Sequence, residues 1–324
     1  MQTLRESFQE QGFSEPTTEM LLKSWRGATK KQYAPHITKW VHFCSEREVD
    51  KFSPPVNMII EFLKELFDKG LGYSALNTAR SALSSIVLSE KPIGEHPLVC
   101  RFVKAVFQER PTKPRYNVTW DVSLVLKLIQ KWAPVKKLCL SKLTMKLVML
   151  IALICPQRVQ SFQSMKLSNM LIGKSSYTFV ISSLVKQSRP GFKGPIMKMQ
   201  TYAPDRRICP VTTLKEYLKR TEDIRGDSDE LFISFVKPHK PVSRDSIRRW
   251  IKNVMELAGV DTSIFKPHST RHASTSCALS SGMSIDNILE NAGWSNSKVF
   301  AKYYNREVKE ESHYAEAILS KVSH

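Results

Sequence analysis

No two of the six cysteines (Cys44, Cys100, Cys139, Cys155, Cys209 and Cys277) are spaced as C-x-x-C, and none stands with a histidine at metal-ligand spacing. Neither a zinc site nor a disulfide framework is therefore expected, and the thiols read as reduced and mostly buried. G-x-G-x-x-G and G-x-x-x-x-G-K-[ST] are missing too, so no ATP, dinucleotide or metal cofactor is expected. The longest apolar run, Leu147 to Ile154, is too short to span a bilayer, and the opening Met1-Gln2-Thr3-Leu4-Arg5-Glu6 lacks the apolar core of a signal peptide. These features predict a soluble intracellular chain with no membrane partner. With 12 glycines and 17 prolines in 324 residues, nothing is low-complexity. Acidic residues are also few: 30 Asp+Glu face 49 Lys+Arg, leaving a formal charge of +19. A folded cationic surface of that size calls for an anionic partner.

The excess is not spread evenly. Residues 1–112 hold 15 Lys+Arg and 13 Asp+Glu, whereas residues 113–324 hold 34 and 17. The proline-punctuated basic segment Arg110-Pro111-Thr112-Lys113-Pro114-Arg115 reads as the linker, so two domains are expected, 1–112 and 113–324.

Apolar periodicity predicts four helices in the first domain. One carries Tyr33, Ile37, Trp40, Val41 and Phe43, one runs from Pro54-Pro55 to Gly70, and the others span about Tyr73–Leu88 and Pro97–Gln108. In the second domain, helices are expected over Val122–Ala133 and Leu140–Ile154. The pattern then turns to period two in Tyr177–Ser182 and Ile196–Tyr202, which predicts paired strands joined by a long basic connection, 186–195. Helices resume near Val211–Lys219, Ser243–Ala258, Arg271–Gly282, Ser284–Ala292 and Ser297–Tyr304. The fold class is thus mainly α with a small antiparallel β-sheet.

Three places carry chemistry. Arg158 follows the apolar run through Cys155-Pro156-Gln157, at the end of a core helix, where a solvated charge is seldom found. Lys266-Pro267-His268-Ser269-Thr270-Arg271-His272 puts two imidazoles and a guanidinium at a helix start. His268 and Arg271, at i and i+3, project from one side and can donate to the same anionic oxygen. The third is Gly293-Trp294-Ser295-Asn296-Ser297, followed by Phe300-Ala301-Lys302-Tyr303-Tyr304-Asn305-Arg306.

Taken together these residues resemble the tyrosine recombinases, or phage-type integrases, whose catalytic set is Arg, Lys, H-x-x-R, then His or Trp, then a nucleophilic Tyr. The chain supplies Arg158, Lys186, His268, Arg271, Trp294 and Tyr303 or Tyr304 in that order. The G-W-S-x-S and F-x-x-Y-Y-N-R pieces are similar to the recombinases of eukaryotic mobile elements of the crypton, Ngaro and DIRS-like kinds. The resemblance implies a SAM-like helical core-binding domain over 1–112 and a mixed α/β catalytic domain over 113–324. It also implies cutting and rejoining of double-stranded DNA through a 3′-phosphotyrosine, without ATP or metal, and a nuclear location. Arg158 and Arg271 would clamp the non-bridging oxygens, His268 would donate to the phosphate or move the Tyr proton, and the Trp294 indole would add a donor and wall the pocket. Lys186, with Lys193 as competitor, would protonate the leaving 5′-oxygen. The nucleophile falls nine residues after the Trp in bacterial and phage members, which is Tyr303, and ten in mobile-element members, which is Tyr304. The surrounding Phe300 and Asn305-Arg306 favour Tyr304. One departure matters: many members have an acidic residue three positions after the first arginine, where this chain has Ser161, so the site must be supported from elsewhere.

Lys193, Arg206, Arg207, Arg244, Arg248, Arg249 and Lys252 read as contacts to the DNA backbone or as solvated faces. Arg248 and Lys252, at i and i+4, suit insertion into a groove. The segment 309–320 is amphipathic, and in relatives such a terminal helix docks on a neighbour, which implies dimers or tetramers on DNA. Two other readings stay open: a domesticated DNA-binding protein that no longer cuts, and a type IB topoisomerase-like activity.

Overall fold

The structure is a computed structural model, and it describes residues 2–112, 118–186, 188–191 and 194–294. The chain divides into two compact units, Met1–Pro114 and Arg115–His324.

The first unit is helical: α1 (Gln2–Glu10), α2 (Glu15–Lys23), α3 (Gly27–Glu46), α4 (Val56–Asp68), α5 (Tyr73–Leu83) and α6 (Pro97–Glu109). Its core gathers Trp40 and Phe43 of α3, Phe62 and Leu66 of α4, Leu76 and Leu83 of α5 and Val99 of α6. The four expected helices are preceded by two more. Over α1 and α2 only Leu4, Ser7, Thr18 and Leu22 are buried, too sparse an apolar pattern to stand out in sequence. α5 ends at Leu83 rather than near Leu88, because Ser84 caps it and its hydroxyl turns to accept from Gly94 N at 2.7 Å.

The second unit is built around α8 (Leu140–Ile154), which is apolar on nearly every side and is therefore enclosed. α10 (Pro210–Thr221), α11 (Arg244–Leu257) and α12 (Ser269–Ser280) all pack on it. α7 (Val122–Lys131) is joined to α8 through Lys146, whose fully buried ammonium donates to Ile129 O at 2.7 Å and to Trp132 O, the carbonyls that the end of α7 leaves open. Burial pushes this ammonium down to about 8.

A short helix, α9 (Val159–Gln163), leads into a three-stranded antiparallel sheet in the order β1 (Met170–Ile172), β2 (Ser176–Val180), β3 (Ile196–Gln200). Phe179 pairs with Met197 and Tyr177 with Met199, and all four are buried, as period two requires. β1 was not expected: three residues, two of them exposed, carry no strand pattern. α13 (Ile285–Ala292) closes the described part of the unit. The fold class is as expected, mainly helical with a small antiparallel sheet. Of the six free thiols, Cys44, Cys155 and Cys209 are buried but Cys100, Cys139 and Cys277 are exposed, so the thiols are not mostly buried as expected. Among the described residues no helix is long and apolar enough to cross a membrane.

Candidate active site

Arg158 is not the last residue of a core helix. α8 stops at Ile154, Cys155-Pro156-Gln157 turn the corner, and Arg158 is the N-cap of α9. Its Nη1 is buried with no hydrogen-bond partner among the described residues. An unsatisfied guanidinium nitrogen is costly and suits an anion arriving from outside. Ser161, which stands where many family members carry an acidic residue, is fully buried and its hydroxyl likewise has no partner among the described residues.

The residues flanking Arg158 are engaged. Gln157, 5% exposed, donates from Nε2 to Asn291 O at 2.7 Å. Gln160 accepts from Lys186 N at 3.2 Å through Oε1 and donates to Leu184 O at 3.4 Å through Nε2.

Lys186 lies six residues beyond the end of β2, on an exposed turn of the connection to β3. The turn is tied internally: Val185 N donates to Ser188 Oγ and Ser188 N to Val185 O, each at 2.9 Å. The connection returns to β3 through Gly194 at φ +80°, where a Cβ would stand 2.6 Å from Ile181 O. Only glycine fits there, on both counts.

His268 is the N-cap of α12, with Arg271 one turn on, as the i, i+3 spacing predicted. The imidazole keeps an exposed edge, while burial of its inner side pushes its pKa down to about 4. The charges of Arg271, Arg158, Arg248 and Lys186 push the same way, in that order of strength. The ring is therefore neutral at pH 7. Arg271 is 2% exposed; its Nη2 donates to Ala292 O, and its guanidinium lies 4.3 Å from the centre of the Trp294 ring, a cation–π contact. Gly293, left-handed at φ 65°, ends α13 and turns the chain so that Trp294 can occupy that position. His272 is buried and meets His268 edge-on at 5.8 Å. The start of α12 is anchored by Trp120, whose buried indole donates to Ser269 Oγ at 2.9 Å.

Lys186 and Trp294 share a cleft of about 830 Å³, with Gln157, Ser188, Arg189 and Lys198 also on its walls and Glu290 its one carboxylate. Arg158, Lys186, His268, Arg271 and Trp294 thus come together from α9, the β2–β3 connection, α12 and the end of α13. Arg248, read from sequence as a groove contact, is exposed on α11 and bonds Asp245 at 2.8 Å, and its charge contributes to the lowered pKa of His268. Lys252 pairs with Glu256 at 2.7 Å and Arg249 reaches Ser246 Oγ at 3.5 Å. Arg244 is exposed at the start of α11, after the cap Ser243. Arg206 and Arg207 sit on a turn against α7, where Arg207 bonds Asp205 at 2.9 Å and, with Gln130, holds that carboxyl below its usual range. Lys193, Tyr303, Tyr304 and the segment 309–320 lie outside the described residues. Sequence reading missed Gln157, Gln160, Trp120 and Gly194, because each acts on a partner far along the chain. Among the described residues no cluster of three or more His, Cys, Asp or Glu could hold a metal.

The phage integrase family profile matches residues 135–311, over half of the chain and all of the elements just described from α8 onward. The chain belongs to the phage integrase family. The integrase fold is similar to that of the XerH site-specific recombinase in a post-cleavage complex with palindromic difH substrate, at TM-score 0.61 and 15% identity over 90% of this chain and 79% of that one. It is also similar to a lambda integrase dimer bound to a core site, at TM-score 0.54 and 17% identity over 91% and 95%. The Tn1549 transposon integrase in complex with transposon right end DNA gives TM-score 0.54 and 13% identity over 83% and 85%. At such identities the likeness is one of fold, that of a tyrosine recombinase. No curated protein matches the chain in sequence.

Proposed function

We propose that the protein is a site-specific DNA recombinase or integrase that cuts and rejoins double-stranded DNA through a 3′-phosphotyrosine. The observation that carries this reading is Arg158 Nη1, buried and unpartnered among the described residues, at a site that also holds Arg271 against Trp294, with Lys186 on the wall of the same cleft as Trp294. Guanidinium is the planar donor that fits phosphate oxygens.

In this mechanism the tyrosine oxygen, that of Tyr304 with Tyr303 as alternative, bonds to phosphorus as the bond from phosphorus to the 5′-oxygen breaks. The neutral His268 accepts the phenolic proton or donates to a non-bridging oxygen. Arg158 and Arg271 hold the charge that grows on the pentavalent phosphorane, while Trp294 braces Arg271. Lys186 gives its proton to the departing 5′-oxygen. The phosphoryl bond is kept as a phosphotyrosine, so rejoining needs only the return attack of a 5′-hydroxyl, and neither nucleotide nor metal takes part.

Residues 1–112 act as a core-binding domain, and Lys193, Arg206, Arg207, Arg244, Arg249 and Lys252 contact the duplex. The lambda integrase neighbour is a dimer on its core site, which supports self-association on DNA. The Tn1549 integrase neighbour is in complex with transposon DNA, which supports an origin in a mobile element. The G-W-S-x-S and F-x-x-Y-Y-N-R pieces add the crypton, Ngaro and DIRS-like affinity and, with it, a nuclear site of action.

The test is covalent capture. Nicked duplexes of randomised sequence are incubated with the chain, denatured, and the protein-linked DNA is sequenced. An adduct at a 3′-phosphate that survives denaturation and is digested by protease is expected, lost in Tyr304→Phe and kept in Tyr303→Phe. Persistence in Tyr304→Phe moves the nucleophile to Tyr303. No adduct at all would leave a DNA-binding protein, and plasmid relaxation without exchange between sites would leave a topoisomerase-like one.

A further inference from the structure

A lysine on an exposed turn is a poor acid unless its backbone is held, because four rotatable bonds let the ammonium wander from the oxygen it must reach. The turn that carries Lys186 is closed on itself through Ser188, and Gln160 of α9 ties it at Lys186 N and Leu184 O. Across the site, α13 ends with two carbonyls that its own helix leaves open. Gln157 satisfies Asn291 O and Arg271 satisfies Ala292 O, one residue before the turn that presents Trp294.

Both amides stand on the corner that bears Arg158. α9 offers no carboxylate for the task, since it reads Val159-Gln160-Ser161-Phe162-Gln163. A neutral amide has a further merit: it holds backbone by hydrogen bonds without drawing the nearby guanidinium groups away from an incoming phosphate, as a carboxylate would.

We propose that Gln157 and Gln160 are positioning residues that set two separate arms of the site against Arg158: Gln160 places the Lys186 turn, and Gln157 places the α13 end with Arg271 and Trp294. This rests on the reading of Lys186 as the acid that protonates the 5′-oxygen. The two bonds made by Gln160, at 3.2 and 3.4 Å, are long and are expected to shorten when phosphate draws Lys186 inward.

The arms can be told apart by replacing the 5′-bridging oxygen of the scissile phosphate with sulfur in a duplex recovered by covalent capture. A thiolate leaves without being protonated, so a variant that lacks only the acid regains its rate on the sulfur substrate. The quantity read is the ratio of sulfur to oxygen cleavage rates in single turnover. Because both rates come from one preparation, a misfolded fraction lowers them alike and leaves the ratio unchanged.

Lys186→Ala should raise the ratio about a hundredfold or more. Gln160→Met, which keeps the volume and removes both hydrogen bonds, should slow the oxygen substrate by about tenfold or more while the sulfur rate stays near wild type. Gln157→Met should slow both substrates equally in rate constant while the fraction of duplex cleaved stays at the wild-type level, which a misfolded fraction would lower, since its arm serves the non-bridging oxygens. If Lys186→Ala is not rescued by sulfur, the acid assignment falls, whatever Gln160 does. If Lys186→Ala is rescued but Gln160→Met is slowed equally on both substrates, or not slowed, the positioning role is overturned. A raised ratio in Gln157→Met would overturn the division into two arms.

Discussion

His268 links the electrostatics of the pocket to something measurable without DNA. Burial comes first and Arg271, Arg158, Arg248 and Lys186 follow, so its folded pKa of about 4 lies below the ordinary value near 6.5. A depressed histidine stays neutral in the folded state while the unfolded chain takes up a proton. Its contribution to stability is therefore complete above pH 6.5 and is lost as pH falls towards 4. Nuclear magnetic resonance of the imidazole in the free protein should give a midpoint about two units below that of an exposed histidine. Addition of phosphate-bearing duplex should move the midpoint upward, because an anion among the cations favours the charged ring. A midpoint near 6.5 in the free protein would mean that the ring is neither buried nor held beside these cations.

The elements differ in how openly the sequence announces them. α8 is found at its expected bounds, Leu140–Ile154, because the apolar run Leu147–Ile154, led in by Leu140, Leu143 and Met145, has no alternative to burial. Truncating its centre, Leu147→Ala, should cost about 2–5 kcal/mol in chemical denaturation, with m little changed, since the side chain is wholly enclosed. β1 could not be read, being three residues long, and α1 and α2 were hidden by their sparse apolar pattern. At the site, the residues with distinctive chemistry, Arg158, His268, Arg271 and Trp294, could be picked out by type and order. Gln157 and Gln160 could not, because an amide that binds a backbone carbonyl of a distant segment leaves no local signal. Gly194 is an intermediate case: its place in a basic connection suggested a turn, but the near approach of Ile181 O is a tertiary fact. Gly194→Ala should therefore displace the Lys186 turn; cleavage is expected to fall by at least about tenfold while the melting temperature shifts by only a few degrees. Unaltered cleavage would show that the turn tolerates the displacement.

For the whole molecule, the charge excess sits on one side of the linker: 34 Lys+Arg against 17 Asp+Glu over residues 113–324, and near balance before it. Some of these cations are already paired, Arg248 with Asp245, Lys252 with Glu256 and Arg207 with Asp205, on exposed surface where such pairs are worth little and exchange readily for phosphate. Binding of the full chain to duplex DNA should accordingly weaken steeply with salt. If about six to ten phosphates are contacted, affinity drops on the order of 10³–10⁵ between roughly 50 and 200 mM. A flat response would remove DNA as the partner that the charge calls for. The residues assigned to grip and those assigned to chemistry then separate by what they change: Arg206 or Arg244 variants should alter the salt slope, and Arg158 variants should not.

The claim on which everything else depends is that Arg158 and Arg271 act on the transition state of strand cleavage and not on binding. The direct measurement is the single-turnover rate of covalent adduct formation by wild type and Arg158→Ala, with duplex affinity taken on the same preparations. Loss of a preorganised cation that acts on developing charge predicts a fall in rate on the order of 10²–10³ or more, with affinity within a few-fold of wild type. Adduct formation at close to the wild-type rate, or a rate loss fully matched by lost affinity, would contradict the account.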